Sequence, residues 1–153
     1  MRRMKFADHE ELEAFLEINP EIKVLELLMP DLNGILRCKR IHRKEFGSLF
    51  GEGLLVPRSA PLLGVRGDFY DGIPLSELGG DPDQVIKPVS GSLAKVPWYE
   101  SPVGQVMIAY TKKDGAIDWV DARQPLLSVV DCLAKSGMFA TVATELEFYL
   151  LAN

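Results

Sequence analysis

Apolar residues recur at helical spacing near the start of the chain, and this stripe consists of Leu12, Phe15 and Leu16, with Ile18 as a further candidate. Asp8 precedes the stripe as a suitable N-cap, and Glu11 three residues later fits the capping-box pattern. Asn19-Pro20 ends the periodicity, because proline cannot continue a helix. The pattern therefore predicts a first helix from Asp8 to about residue 19.

The next two apolar segments predict an antiparallel hairpin. The run IKVLELLMP is rich in branched residues typical of strands, and ILRCKRI follows it after the turn DLNG. Asn33-Gly34 favours the positive φ angles of a tight hairpin turn. Residues 43–50 then predict a short helix that ends at Gly51.

Residues 57–104 are the least periodic part of the chain. They contain seven of the ten prolines and seven of the thirteen glycines, yet large apolar side chains recur among them. Proline and glycine disfavour long helices and strands, while the apolar groups indicate packing against a core. We expect ordered loops with one or two short strands, and long ordered loops are often functional.

Regular patterns return after residue 104. The run QVMIAYTKKDGAIDWV predicts two strands joined by the turn Lys113-Asp114-Gly115. Asp121 is expected to cap a helix that continues to about Lys135 and ends at Gly137. The buried stripe of this helix is predicted to be Leu126, Val129, Val130 and Leu133. The order of helices and hairpins places the chain in the α+β class.

The last segment, ATELEFYLLAN, alternates like a strand, and the aromatic residues that follow its two acids indicate a buried one. Glu145 and Glu147 lie two positions apart, so an extended chain would hold their carboxylates about 7 Å apart on one face. Ionised carboxylates this close need a cation, an arginine or bulk water between them. Mg²⁺ or Mn²⁺ prefers such oxygens, but a solvent-facing strand produces the same spacing. The spacing alone leaves these alternatives open.

The composition and net charge of the chain limit the classes of protein to which it can belong. The chain has 153 residues, 47% hydrophobic and 25% charged, with a net charge of −5. These values are typical of a globular protein and argue against a nucleic-acid partner. Cys38 and Cys132 are too far apart to form a metal-spaced pair, which favours a reduced setting. Since the sequence has neither a signal-peptide core nor an apolar run of membrane length, we expect a cytoplasmic protein without a membrane partner.

The remaining polar motifs carry no clear chemistry. His9 and His42 have no ligand-spaced partner and are interpreted as surface residues. Residues 79–83 are acidic but lack the alternating ligands of an EF-hand loop, so they are interpreted as a turn. Glu145 and Glu147 are therefore the strongest site candidates from the residues themselves.

Four stretches of the chain form an ordered set: VLELLMPDLNGILRCKRI, GDPDQVIKPVSGSLAKVPW, DGAIDWVDARQPL and TELEFYLL. In this order they resemble the opening hairpin, the segment that leads to Val-Pro-Trp, the Asp-Gly turn before an Asp-Pro-Arg helix start, and the Glu-x-Glu-Phe strand of the glutamine synthetase family. The likeness is greater to the family's γ-glutamylpolyamine synthetase branch. It covers about residues 20–151.

The resemblance implies a fold and an activity. A small β-grasp domain would occupy residues 1–105, and residues 106–153 would hold the first helix and strand of a catalytic domain. Glu145 and Glu147 match the acids that bind two Mg²⁺ or Mn²⁺ ions, one acid to each ion. The implied reaction uses ATP to phosphorylate glutamate, after which ammonia or an amine displaces phosphate. Family members form rings in which one subunit's β-grasp domain meets the next subunit's catalytic domain.

The chain departs from the family pattern at three motif positions, with Cys38 in place of the glycine of Arg-Gly-Lys, Ala122 in place of the proline of Asp-Pro-Arg, and Ser92 in place of the usual threonine. The family's Asp-x-x-Gly turn, which presents an acid to the neighbouring active site, corresponds here to Gly64-Val65-Arg66-Gly67. Asp68 and Asp71 are the nearest acids and the candidates for that catalytic role.

The chain ends six residues after Glu147, before the family's ATP-binding and glutamate-binding residues. We expect it to be part of a longer enzyme or a truncated product, inactive alone, because two carboxylates without a cationic clamp cannot catalyse phosphoryl transfer. The alternative is a non-catalytic β-grasp interaction module or a pseudo-enzyme, which the missing acid at Gly64 favours.

Overall fold

The computed structural model describes residues 4–69, 80–112 and 117–152. Within these ranges the α-helices are α1 His9–Ile18, α2 Phe46–Phe50 and α3 Gln124–Lys135. The strands are β1 Val24–Pro30, β2 Leu36–His42, β3 Leu54–Pro57, β4 Asp83–Pro88, β5 Ala94–Lys95 and β6 Val103–Thr111. Two 3₁₀ turns span Arg43–Glu45 and Ala60–Leu62. The α+β class is confirmed, while the specific β-grasp assignment stays a prediction.

The strand β6 lies at the centre of the sheet, whose order is β2-β1-β6-β4-β3. β1 runs parallel to β6, whereas the pairs β1–β2, β4–β6 and β3–β4 are antiparallel. The short β5 pairs with the start of β6. A parallel pair needs a crossover connection, and the long loop-rich segment between β1 and β6 provides it. The predicted domain boundary after residue 105 falls within β6, and the division into two domains stays a prediction.

The first helix and the hairpin form as the sequence predicts. Asp8 accepts a hydrogen bond from the N–H of Glu11 at 3.0 Å and so caps α1. The Glu11 side chain does not complete a capping box. It accepts instead from the Ser90 hydroxyl and the Gly91 N–H, both at 2.8 Å, and ties α1 to the loop before β5. Gly34 takes a φ of 77° in the turn between β1 and β2.

The core combines alternate residues of the sheet with apolar side chains of α1 and α2. Its largest fully buried members include Leu25, Leu27, Ile41, Phe46, Leu49, Ile86, Val106, Ile108 and Tyr110. Burying each large apolar side chain contributes about 1.5–3 kcal/mol. Gly104 of β6 permits the close approach of α1, because a Cβ there would lie 2.5 Å from Cδ2 of Leu25 and 3.3 Å from the ring of Phe15.

The C-terminal third differs from the sequence prediction. Helix α3 begins at Gln124 rather than Asp121, and none of its residues is buried. Leu126 and Val129, of the predicted buried stripe, are 63% and 58% exposed. An apolar helix face stays exposed when no described element packs against it. Among the described residues of the predicted second strand, Ile117 forms an isolated bridge with Thr111. The predicted turn at residues 113–115 lies outside the described residues.

Several smaller predictions can be compared with the structure. His9 and His42 are exposed, as expected for surface residues. Cys38 and Cys132 are both exposed free thiols. Residues 80–81 turn through left-handed backbone, with φ of 83° and 61°. In the described ranges no helix has both the length and the apolar character needed to cross a membrane, and the cytoplasmic location stays a prediction.

Candidate functional site

The two glutamates that dominate the sequence prediction lie in an exposed segment. Residues 138–152 belong to no helix or strand, and Glu145 and Glu147 are both exposed. Leu146 and Phe148, expected to be buried, are 80% and 74% exposed. The prediction of a well-buried strand here is therefore wrong. A strand needs a neighbour for its backbone hydrogen bonds, and no described strand pairs with this segment.

The donor type of Glu145 and Glu147 suits a hard divalent ion, since Mg²⁺ and Mn²⁺ prefer oxygen ligands. Two carboxylates alone are too few ligands to hold such an ion. The portions of the chain that the structure describes contain no group of three or more His, Cys, Asp or Glu side chains able to hold an ion. The assignment of one ion to each glutamate stays a prediction.

Asp68 lies in a tight loop next to the first hairpin. The Gly64 N–H donates to the Asp68 carbonyl at 2.8 Å, and the Gly67 N–H donates to the Gly64 carbonyl at 2.9 Å. Gly67 has a φ of 84°, and an isolated bridge between Leu63 and Phe69 closes the base of the loop. The side chain of Asp68 is exposed, so a partner or substrate can reach it. The other catalytic candidate, Asp71, lies outside the described residues.

Arg37 of β2 anchors this loop to the hairpin. Its Nη2 donates to the Gly64 carbonyl at 2.6 Å, and its Nε and Nη2 lie 2.8 and 2.7 Å from Oδ2 of Asp31. Oδ1 of Asp31 accepts from the N–H groups of Asn33 and Ile35. Burial by itself would raise the pKa of Asp31, but the two amides and the guanidinium together hold this pKa below its usual value. The ionised carboxylate therefore fixes Arg37 in place.

A second buried carboxylate links the hairpin to the segment before β6. Glu26 of β1 is 6% exposed, and its Oε1 accepts from Nε and Nη2 of Arg40 at 3.0 and 2.7 Å. The Tyr99 hydroxyl donates to the same oxygen at 3.1 Å. The hydrogen bonds that Arg40 donates to Glu26 and, at 3.2 Å, to the Tyr99 hydroxyl raise the pKa of Arg40. The sequence analysis missed this network, although an acid inside the apolar run VLELLMP was a usable signal.

Two further buried acids follow β6. Oδ1 of Asp118 accepts from Nη2 of Arg58 at 3.0 Å. Asp121 accepts from the N–H groups of Tyr110 and Arg123, each at 3.0 Å, and so does not serve as the N-cap of α3. Burial raises the pKa of Asp121 above its usual value, and the two amide hydrogen bonds offset only part of that effect. These acids hold the start of the C-terminal third against the sheet.

The three described site candidates, Asp68, Glu145 and Glu147, belong to no cluster of three or more side chains that could hold a metal ion. Among the residues described, no ion pair joins Asp68 to another side chain, and none involves Glu145 or Glu147. The buried acids that the sequence analysis missed are all engaged in holding loops to the sheet. The three site candidates that the structure describes, Asp68, Glu145 and Glu147, are therefore exposed carboxylates on two separate segments.

Comparison with known proteins gives one strong relationship in sequence. The chain is 33% identical over 142 residues to γ-glutamylputrescine synthetase PuuA of Escherichia coli (strain K12). The match covers 93% of this chain and 30% of that protein, so the chain spans less than a third of the relative's length. No protein-family model matches the chain.

Solved structures share the fold. The glutamine synthetase of Plasmodium falciparum matches with a TM-score of 0.59 and 15% identity, over 90% of this chain and 24% of that one. A protein described as a novel glutamine synthase homologue matches with a TM-score of 0.62 and 16% identity, over 75% of this chain and 27% of that one. Identities this low establish the fold alone.

Proposed function

The chain belongs to the glutamine synthetase family, and from this premise we propose that it contributes the N-terminal part of an ATP-dependent ligase joining glutamate to ammonia or an amine. The observation that carries the proposal is the sequence match to γ-glutamylputrescine synthetase across nearly the whole chain. The name of that relative describes a γ-glutamyl group joined to the amine putrescine. We therefore favour an amine over ammonia as the acceptor.

Glu145 and Glu147 are the proposed metal ligands of this ligase. A bound Mg²⁺ or Mn²⁺ supplies positive charge that stabilises phosphoryl transfer from ATP. The chain itself contributes two solvent-exposed carboxylates on a segment without regular hydrogen bonding. Such a segment can adjust to further ligands, which would have to come from outside the described residues.

Asp68 is the proposed acid that faces the amine. Its carboxylate is exposed, and Arg37 and Asp31 anchor the loop that carries it. A carboxylate attracts a protonated amine and can accept its proton before the nitrogen attacks an acyl phosphate. As the resemblance implies an active site between subunits, we place this loop at a boundary between two copies in a self-associated enzyme.

A second candidate function is a non-catalytic interaction module or a pseudo-enzyme. One observation that favours it is that position 64 carries no acid. Exposed aromatic side chains, among them Trp98 at 68%, provide surface that a partner protein could cover.

Phosphate release from ATP separates the two functions. The protein encoded by the complete reading frame is assayed with glutamate, Mn²⁺ and either putrescine or ammonium. We expect acceptor-dependent release by the wild type and a loss of about 10- to 100-fold or more in Glu145→Gln and Glu147→Gln. Glu10→Gln, an exposed acid of α1, serves as the matched control and should keep full activity. No release with either acceptor would favour the non-catalytic function.

A further inference from the structure

Position 64 and the carboxylate of Asp68 compete for the same space. An ideal Cβ on Gly64 would lie 2.5 Å from Oδ1 of Asp68 and 3.6 Å from its Cγ. Heavy atoms that are not bonded to each other do not approach this closely, so any side chain at position 64 must displace the carboxylate. The backbone of Asp68 cannot retreat freely, because its carbonyl accepts the Gly64 N–H at 2.8 Å.

Gly64 itself is held by the hairpin. Arg37 donates to its carbonyl, and Nδ2 of Asn33 donates to the neighbouring Leu63 carbonyl at 3.1 Å. Asp31, whose side chain has no exposed surface, fixes Arg37 in turn. Gly64 is therefore the point at which a rigid hairpin meets the loop that presents Asp68.

We propose that Gly64 is a positioning residue for Asp68. The absence of a side chain at position 64 leaves the space into which the Asp68 carboxylate folds, so the loop presents its acid from position 68. The role of that acid toward a protonated amine rests on the proposed ligase function, whereas the pairing is a property of the loop itself. An aspartate introduced at position 64 would not simply add an acid, because two carboxylates would then compete and repel.

The pairing is tested on the 153-residue chain by a double-mutant cycle. Gly64→Ala should shift the carboxyl carbon resonance of Asp68 and the amide resonance of Phe69 with little loss of melting temperature, because the exposed carboxylate can rotate away from the new Cβ. In an Asp68→Ala background the same substitution should shift the Phe69 amide resonance less, since the atom that the new Cβ meets is gone. Gly47→Ala is the control, because its nearest neighbouring atom, Cε1 of His9, is 4.0 Å away. Equal Phe69 shifts in both backgrounds would overturn the pairing.

The positioning role is tested in the protein from the complete reading frame, with putrescine as the varied substrate. Gly64→Ala should raise the KM for putrescine by about 10- to 100-fold and change kcat much less. Gly64→Asp should be impaired in the same way, and Gly64→Asp combined with Asp68→Gly should recover part of the loss. Unchanged KM values in an active enzyme would overturn the role. If the wild type releases no phosphate, the ligase proposal fails, while the cycle on the 153-residue chain still decides the pairing.

Discussion

The guanidinium of Arg37 lies 2.7 Å from Oδ2 of Asp31, whose side chain is fully buried, and reaches the Gly64 carbonyl at 2.6 Å. One buried acid thereby joins the hairpin to the loop that carries Asp68. A carboxylate removed from water needs charged or N–H partners, and the arginine and two backbone amides provide them. The stability of the fold and the position of the candidate acid therefore depend on the same ion pair.

Asp31→Asn should lower the free energy of unfolding at pH 7 by about 1–3 kcal/mol, because asparagine is neutral and has a single acceptor oxygen, so either Arg37 or the two backbone N–H groups would lose their acceptor. Urea unfolding measures this loss, and amide exchange in residues 63–69 should speed up alongside it. Asp83→Asn, at an exposed aspartate, is the control and should change stability by less than about 0.5 kcal/mol. Similar values for the two variants would contradict the structural role of Asp31.

The contributions of two buried aspartates to stability should change with pH in opposite directions. The lowered pKa of Asp31 means that its contribution to stability is present above the unfolded-state pKa and is lost as pH falls through the folded one. The raised pKa of Asp121 has the opposite sign, so its contribution is present below the unfolded-state pKa and is lost as pH rises through the folded one. Carboxyl ¹³C NMR should place the midpoint of Asp121 above that of Asp31. The reverse order would show that their surroundings are misassigned.

Short sequence patterns predicted the first helix and the hairpin of β1 and β2. Asp8 caps α1, and Gly34 takes the positive φ that the turn requires, as the residues indicated. The ion pair of Arg58 and Asp118 was not predicted, because these residues are 60 positions apart and nothing in the local pattern joins them. For helix α3 the prediction of a buried face was wrong. Its apolar stripe exists, but periodicity cannot tell whether a partner is present to bury it.

The roles assigned to the candidate site residues stay predictions. The spacing of Glu145 and Glu147 identified a pair of acids with the right chemistry for a divalent ion, but not their surroundings. A segment of alternating apolar and polar residues forms a strand only where a neighbouring strand pairs with it. The described residues provide no such neighbour for residues 138–152. The position of Asp68 over Gly64 depends on a turn geometry that residue types do not determine.

Gly104→Ala should destabilise the protein by about 1–3 kcal/mol. The new methyl group would meet Leu25 and the ring of Phe15, and overpacking a core forces side chains from their preferred positions. Gly47→Ala is the matched control within α2, where alanine should be neutral or stabilise by up to about 1 kcal/mol. Urea unfolding compares the two variants. A neutral Gly104→Ala would mean that α1 does not pack closely on β6.

Leu126→Ser, on the exposed face of α3, should change the free energy of unfolding by less than about 0.5 kcal/mol in the 153-residue chain. Leu25→Ala, in the fully buried core, should cost about 2–5 kcal/mol. Urea unfolding of both variants measures the contrast. A large loss for Leu126→Ser would indicate that the stripe is buried after all, as its periodicity alone suggests.

The product of the proposed reaction tests the central claim most directly. The protein from the complete reading frame is incubated with ATP, Mn²⁺, glutamate and putrescine, and the products are identified by mass spectrometry. We expect a γ-glutamyl amide, with one ADP and one phosphate formed for each amide bond, and no product when glutamate, the amine or ATP is omitted. ATP turnover that does not depend on glutamate, or the absence of any amide with both putrescine and ammonium, would contradict the assignment as a ligase.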